Sequence, residues 1–571
     1  MKIVLTSLNS KYIHTNLAIR SIKSNLDFDQ GEVILREFTI NDNLESVLSK
    51  LAEEKADVYA FSVYIWNSEK TAKLTRNLKK IMPESIIVAG GPEVSFESEA
   101  QIKSYNLDFI VRGEGEAAFR RLIYALKSGS DISMLPSITY RKSDEIISTK
   151  DGFDLLDMDG LEEAYPCEEL ENLDGRIIYY EGSRGCPFAC AYCMSSVEKS
   201  MRFRSIEKVK ADVGRFIELG VGQVKFVDRT FNCDKERSKE ILRYIVQNNQ
   251  RTNFHFEIAA DLLDEETIDI LSKSPPGLIQ LEVGVQSVHE KTLKEINRKT
   301  DIKKIKENAK KILRLQNIHM HLDLIAGLPF ETIDDFAISF NEIIELKPHM
   351  LQLGFLKILK GSPMTDLLGK HGYKHRDYPP YQVLKNSYLS YSDISILEKV
   401  EHVVDKYYNS GSFKYTLDMV LDMEMDTMFE FFRQLADYWD ANGYFDNGVS
   451  KDKAYEILMG FLLEKEFDGQ LVENLVKMDY LISNKWPLAK FLPHESPGKE
   501  EAFEMLKDEA FVKKHLPAYW GAPAKEIYKK VYFESFSMPR GEKKTAIFYK
   551  PENMLVKSLN AMTWIDEDID S

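Results

Sequence analysis

The run Gly185-Cys186-Pro187-Phe188-Ala189-Cys190-Ala191-Tyr192-Cys193 decides how the rest of the chain is read. It puts three of the five cysteines within eight residues, directly after the β-rich run Ile177-Ile178-Tyr179-Tyr180-Glu181-Gly182-Ser183 and ahead of a helical stretch. Three thiolates on one short strand-to-helix loop can wrap a compact inorganic cluster, and a four-iron, four-sulfur cubane held by three cysteines keeps one iron open to an outside ligand. Structural zinc is the competing explanation. A closed zinc site takes four ligands, but no histidine lies between His14 and His255, and only Cys167 and Cys233 could complete such a site. Three crowded thiols in a long chain are also the wrong arrangement for a disulfide framework.

Outward from this loop the chain alternates. From Arg176, six β-rich runs follow one another: IIYYEGS, QVKFVD, NFHFEIAA, LIQLEVGVQS, HMHLDLIAGLP and MLQLGFLKIL. Helical patterns fit between them; over Ser205 to Leu219, Ile206, Val209, Val213 and Phe216 share a face and Gly220 supplies the stop. Six such units predict a partial TIM-like barrel rather than an eightfold one, with its chemistry at the carboxyl ends of the strands. Residues 1 to about 133 alternate as well, through KIVLTSL, VILREFTI, VYAFSVYI, SIIVAGGP and FIVRGEG, which predicts an α/β, doubly wound parallel sheet. The expected organisation is a Rossmann-like domain over 1–133, a loose acidic linker over 134–171, the barrel over 172–380 and a mainly helical domain over 381–571. That last domain closes with the strand pair VYFESFSM and TAIFYKP and a frayed tail, IDEDIDS. Its stretch MFEFFRQLADYW suits either helical core or a lid over an apolar ligand, core being the simpler reading.

Composition narrows the function. A chain of 571 residues exceeds one hydrophobic core. With 44% hydrophobic residues and no apolar run of about 18, no membrane span is expected. The start, MKIVLTSLNSKYIH, turns polar too early for a signal peptide, so a cytoplasmic location is expected. A formal charge of -16 disfavours nucleic acid as a partner.

The spacing C-x3-C-x-aromatic-C on the first strand of a six-unit barrel resembles the radical S-adenosylmethionine superfamily, and the resemblance covers about 172 to 380. It implies that Cys186, Cys190 and Cys193 ligate a 4Fe-4S cluster whose open iron binds S-adenosylmethionine, with Tyr192 beside the adenine. Where that superfamily often has a glycine-rich stretch after strand two, this chain has Val227-Asp228-Arg229-Thr230; Asp228 stands in the cofactor-binding position. Gln286 and Ser287, ending strand four, resemble the segment that holds the ribose. Gly327, in Ile325-Ala326-Gly327-Leu328-Pro329, resembles the turn on which adenine packs. Glu257, Glu282 and Asp323 lie in apolar strands, where a lone carboxylate is costly; they are candidate catalytic groups, with cation pairing inside the barrel as the alternative. His319 and His321 alternate toward one face and read as hydrogen-bonded packing.

A doubly wound domain ahead of such a barrel is similar to the cobalamin-binding class of the superfamily. Ser62, Gly90, Gly91, Gly113 and Glu114, at the ends of strands three to five, are then the cobalamin-binding candidates. The signature D-x-H-x-x-G is absent; Tyr12-Ile13-His14-Thr15-Asn16-Leu17 keeps only its histidine, so cobalamin bound without protein ligation is expected. The resemblance implies an oxygen-sensitive enzyme in which a 5'-deoxyadenosyl radical precedes methyl transfer to an unreactive carbon, supplied with electrons by a donor such as flavodoxin or ferredoxin. Radical cyclisation or rearrangement without methyl transfer is the nearest rival. A redox sensor built on cluster and corrinoid belongs to another class, separable by whether reduced protein cleaves S-adenosylmethionine.

Overall fold

The structure is a computed structural model describing residues 1–26, 31–152, 156–196, 200–422, 427–537, 542–550 and 560–565. It divides into two compact units, one of residues 1–332 and 354–391, the other of 333–353 and 392–571.

The first unit opens with a seven-stranded sheet: β1 (Lys2–Asn9), β2 (Glu32–Thr39), β3 (Val58–Ser62), β4 (Ile86–Gly90), β5 (Phe109–Val111), β6 (Ile138–Lys142) and β7 (Glu145–Ser148), in the order β2-β1-β3-β4-β5-β6-β7. The first five strands run parallel. Their side chains alternate between two cores: Val4, Leu8, Tyr59, Phe61, Ile87 and Ala89 on one face, Ile3, Leu5, Val58, Ala60, Val88 and Phe109 on the other. Successive strand residues point to opposite faces, so filling both cores requires helices on both sides. The helices Leu44–Glu53 and Ser68–Ile81 contribute Leu51 and Leu78 to the first core, and Gly115–Ser128 contributes Leu122 to the second.

The linker expectation needs correcting. Residues 138–148 form the antiparallel hairpin β6–β7, which extends the sheet beyond β5. Ile138, Tyr140 and Ile147 join the second core; the charged turn Arg141 to Asp144, with Ser143 at φ 54°, hides this short alternation in the sequence.

The second sheet comprises β8 (Ile177–Tyr180), β11 (Gln223–Phe226), β12 (Asn253–Ile258), β13 (Ile279–Gln286), β14 (Ile318–Ala326) and β15 (Met350–Phe355), in the order β15-β14-β13-β12-β11-β8. Between β8 and β11 a small ribbon pairs β9 (Ser183–Arg184) with β10 (Arg202–Phe203). Consecutive parallel strands require helical crossovers, and four of the crossover helices are capped in the same way. Ser205, Asp234, Asp264 and Asp301 accept from the N–H three residues on, starting the helices Ile206–Glu218, Lys235–Asn248, Glu265–Ser272 and Ile302–Arg314. Gly220, at φ 64°, ends the first of them as the sequence implies. The unit closes with the two-residue strands β16 (Lys374–His375) and the short β17 (Val383–Lys385).

The second unit is mainly helical. In its helix Met428–Ala441, Met428, Phe429, Phe431, Phe432, Leu435, Ala436 and Trp439 are all buried, so this stretch is core rather than lid. The expected strand pair is present as β18 (Val531–Ser537) and β19 (Lys543–Tyr549), joined by a third, β20 (Ala561–Trp564). The tail from residue 566 lies outside the described residues.

Candidate functional site

The cysteine loop leaves the sheet through a fixed gate. Asp228, buried just past β11, accepts from Gly182 N at 2.8 Å and Ser183 Oγ at 2.7 Å. Burial raises its carboxyl to about 6, against the pull of those two donors. Gly185 follows at φ 97°, where a Cβ would overlap Ser200 O, so only glycine fits the turn into Cys186. Cys186 and Cys190 are buried and Cys193 is half-buried. Cys186 Sγ lies 3.9 Å from Thr230 Oγ1, at the end of β11, and burial pushes its thiol pKa up.

The loop is backed by a segment that pattern reading missed. Ile296 O accepts from Ala191 N at 2.8 Å, and Asn297 Nδ2 donates to Ala189 O at 2.9 Å. Arg298 then places Nη1 3.7 Å from Cys190 Sγ and 3.4 Å from Tyr192 Oη, while Nη2 donates to Gly284 O. Its Nε is buried without a partner. Asn297-Arg298-Lys299 carries no motif that points to the cysteine loop, and the contact joins residues 108 apart.

The other strand-end residues fall into two groups. Gln286 holds the left-handed backbone at φ 72°, at a register break between Gly284 and Gln286 in the pairing of β13 with β14, and its Oε1 is buried without a partner. Asp323 Oδ1 is likewise unpartnered; burial, with Glu282 and Glu257 nearby, raises its carboxyl well above the ordinary range. Such strained, unsatisfied positions cluster where ligands bind. Ser287 and Gly327 are already engaged. Ser287 Oγ donates to Glu331 at 2.7 Å and accepts from His289 N at 2.9 Å, and Gly327 O accepts from Tyr373 Oη at 2.9 Å and Asn386 Nδ2 at 3.1 Å.

Deeper in the barrel, Glu257 and Glu282 face each other across β12 and β13, and Lys225 lies 3.5 and 3.0 Å from them. His255 Nε2 is 2.9 Å from Glu282. Burial favours the neutral acid, but the His255 hydrogen bond and the Lys225 charge outweigh it and hold Glu282 down to about 2. Cation pairing therefore accounts for these two carboxylates and leaves Asp323 apart from them. His319 and His321 stack edge to face, their ring nitrogens 2.9 Å apart, with Gln280 Nε2 2.7 Å from His321 Nε2. Among the described residues no three His, Cys, Asp or Glu converge to hold a metal ion. Three thiols spread along a loop suit the wider span of a cluster.

The first sheet offers a different edge. Ser62, Gly90 and Val111 stand side by side at the ends of β3, β4 and β5. Gly91, at φ 111°, approaches Val63 O so closely that a Cβ would stand 2.5 Å from it. Gly113, at φ 71°, donates its N–H to the Ser95 hydroxyl oxygen, 3.2 Å away. Beside Ser62, the Trp66 ring is 46% exposed and stacked on Tyr64 at 4.4 Å. Glu114, expected on the cofactor, is instead ion-paired to Arg184 at 2.9 Å and to Arg202; no sequence pattern links partners some seventy residues apart. Buried Glu116 binds Arg184 at 2.8 Å, and that charge overcomes the effect of burial to lower its pKa. Opposite, Glu93 of the Gly90-Gly91-Pro92-Glu93 turn meets Lys360 at 3.1 Å and the Tyr381 hydroxyl. His14 Nδ1 is engaged 2.7 Å from Tyr179 Oη. A cleft of about 450 Å³ lined by Lys11, Tyr12, Glu37 and Arg176 includes none of these strand-end residues.

A three-cysteine loop past the first strand of a six-stranded sheet, ion-paired to a glycine-edged parallel sheet, defines an α/β protein with two strand-end sites. Residues 180–343 match the family described as Radical SAM superfamily, and residues 3–123 the one described as B12 binding domain. The chain thus joins a segment that matches a B12-binding domain to one that matches the radical SAM superfamily. Residues 369–555 match a protein family of unknown function, DUF4080. The chain is 26% identical over 345 residues to 2-(S-pantetheinyl)-carbapenam-3-carboxylate methyltransferase of Streptantibioticus cattleyicolor, covering 57% of this chain and 50% of that one. It is 25% identical over 342 residues to the cobalamin-dependent radical SAM methyltransferase TokK of Streptomyces tokunonensis, covering 54% and 48%. The chain thus spans about half the length of these curated relatives. The structure of the cobalamin-dependent S-adenosylmethionine radical enzyme OxsB with aqua-cobalamin bound superposes with a TM-score of 0.60 at 16% identity, covering 84% of this chain and 79% of that one, a likeness of fold.

The two matched domains imply a 4Fe-4S cluster, S-adenosylmethionine and cobalamin, and the residues fit all three. The cysteine loop has a cation 3.7 Å from a thiol. Buried acceptors on Gln286 and Asp323 and the spare Arg298 Nε suit a small zwitterion. Half-buried Gly90 and Gly91, exposed Gly113 and a half-exposed tryptophan ring suit a flat macrocycle. No described helix is long and apolar enough to cross a membrane.

Proposed function

We propose that this protein is a cobalamin-dependent radical S-adenosylmethionine methyltransferase acting on an unreactive carbon. One observation carries the reading: unsatisfied polar groups at the barrel's carboxyl end lie beside the cysteine loop, and the glycine edge of the first sheet is ion-paired to the strand that enters that loop. When bound, the cluster and S-adenosylmethionine supply a 5'-deoxyadenosyl radical, and the corrinoid supplies a methyl group.

The protein's own part is positioning and electrostatics. Cys186, Cys190 and Cys193 would hold the cluster, and Asp228, through Gly182 and Ser183, sets the approach of their loop rather than touching the cofactor. Arg298 would neutralise negative charge at the cluster and on the cofactor carboxylate. Gln286 Oε1 and Asp323 would take hydrogen bonds from the cofactor's amino and hydroxyl groups, with Tyr192 beside the adenine; Ser287 and Gly327 shape the pocket through Glu331, Tyr373 and Asn386. Ser62, Gly90, Gly91 and Gly113, with Trp66, would cradle the corrinoid, and the Glu93–Lys360 and Glu114–Arg184 pairs would close the seam against water.

The accompanying domain assignment is a corrinoid module over 1–133, a connection over 134–171 that includes the β6–β7 hairpin, a radical core over 172–380 and a C-terminal domain over 381–571. The substrate is a small molecule or a peptide, and the reductant a flavodoxin or ferredoxin. Five free cysteines and an oxygen-labile cluster suit the reducing cytoplasm. Anaerobic turnover with methyl-labelled S-adenosylmethionine should yield 5'-deoxyadenosine, S-adenosylhomocysteine and labelled methylcobalamin. Deoxyadenosine without methylcobalamin would point to cyclisation or rearrangement, and neither product would point to a sensor.

A further inference from the structure

Over Glu290–Arg314 the chain carries ten Lys and Arg against four Asp and Glu, within a protein of net charge -16. This is the segment that backs the cysteine loop through Ile296, Asn297 and Arg298. Its helix Ile302–Arg314 buries Ile305, Ala309 and Ile312, while Lys303, Lys304 and Lys310 are exposed. Lys294 and Lys299 are also exposed, on either side of exposed Asn297, which is bonded to the loop itself. On the loop, Pro187 is exposed and Phe188 and Ala189 are half-buried, so the thiol-bearing segment reaches the surface.

We propose that this basic face, centred on Lys294, Lys299 and Lys303, docks a small acidic one-electron carrier protein of the flavodoxin or ferredoxin type. The inference rests on the radical S-adenosylmethionine reading and locates its electron input. One electron leaves the carrier, which is oxidised, and enters the cluster, which is reduced, across the Pro187–Cys190 loop. Complementary charge steers such encounters and fixes their orientation. The net charge of -16 disfavours extended polyanions, whereas a compact acidic partner needs only this face.

The test uses full-length, cluster-loaded protein and a variant carrying Lys294→Glu, Lys299→Glu and Lys303→Glu. The affinity for oxidised flavodoxin, measured by titration without S-adenosylmethionine, should fall at least tenfold at low salt, and the wild-type affinity should fall steeply as salt rises. Deoxyadenosine formation driven by reduced flavodoxin should drop at least tenfold, while formation driven by titanium(III) citrate stays within twofold. The triple Lys→Arg variant should bind as the wild type does. Unchanged affinity in the reversed variant, or tighter binding of an RNA duplex than of flavodoxin to the same lysines, overturns the proposal. If reversal prevents folding, the triple Lys→Gln variant carries the same test, with about a threefold loss expected. Wild-type protein that binds flavodoxin through these lysines yet releases no deoxyadenosine with titanium(III) citrate would refute the radical chemistry and leave the docking face standing.

Discussion

At the carboxyl edge of the first sheet, Gly90 and Gly91 are half-buried, Gly113 is exposed, and the charged residues, Glu93, Glu114 and Glu116, are paired with cations of the barrel. At the carboxyl edge of the second sheet, Gln286 Oε1, Asp323 Oδ1 and Arg298 Nε are buried with nothing to bond. The first edge holds by shape and exposed ring surface, and the second by hydrogen bonds that only a polar ligand can complete. A large corrinoid and a small charged sulfonium call for those two kinds of edge.

Several substitutions would break or sharpen that contrast. The largest effect is expected at the barrel edge: Cys186→Ala, Cys190→Ala or Cys193→Ala should abolish both the bound iron and sulfide, by chemical analysis, and deoxyadenosine formation, while corrinoid retention by the first sheet persists. Arg298→Ala should raise the KM for S-adenosylmethionine roughly 10- to 100-fold, the equivalent of about 1.5–3 kcal/mol for a hydrogen bond to a charged group. A KM that does not move would remove Arg298 from the site. At the other edge, Gly91→Ala sets a Cβ 2.5 Å from Val63 O on a left-handed backbone. It should cost about 1–3 kcal/mol in a thermal melt and release corrinoid on gel filtration, with iron content unchanged.

A smaller, pH-dependent difference is expected at Asp228. Its folded carboxyl, raised by burial to about 6 from 3.8, favours the folded state most below pH 4, and that contribution is lost as pH rises through 6. The stability of the wild type relative to Asp228→Asn should therefore decline between about pH 4 and 6 and level off above. A flat difference would mean the carboxyl titrates normally. The smallest effect is expected from His14→Ala. With His14 held against Tyr179, the corrinoid's visible and paramagnetic spectra should be unchanged, and loss of a nitrogen signal would contradict this.

Much of this was legible before the fold. Strand alternation, and the helical face and Gly220 stop of the first crossover, are local patterns, and the structure repeats them. What could not be read depends on distance along the chain. The Glu114–Arg184 pair joins residues seventy apart, and Arg298 meets Cys190 across 108. The left-handed Gln286 is a departure no propensity would suggest for glutamine. The β6–β7 hairpin escaped because its alternation is only a few residues long and interrupted by a charged turn.

Arg184 is separated from Cys186 by Gly185 alone and grips two glutamates of the corrinoid module. Two ion pairs and a single intervening residue therefore fix the glycine edge of that module relative to Cys186. A corrinoid cradled at that edge would therefore stand at a set separation from whatever the cysteine loop holds, whether or not the other site is filled.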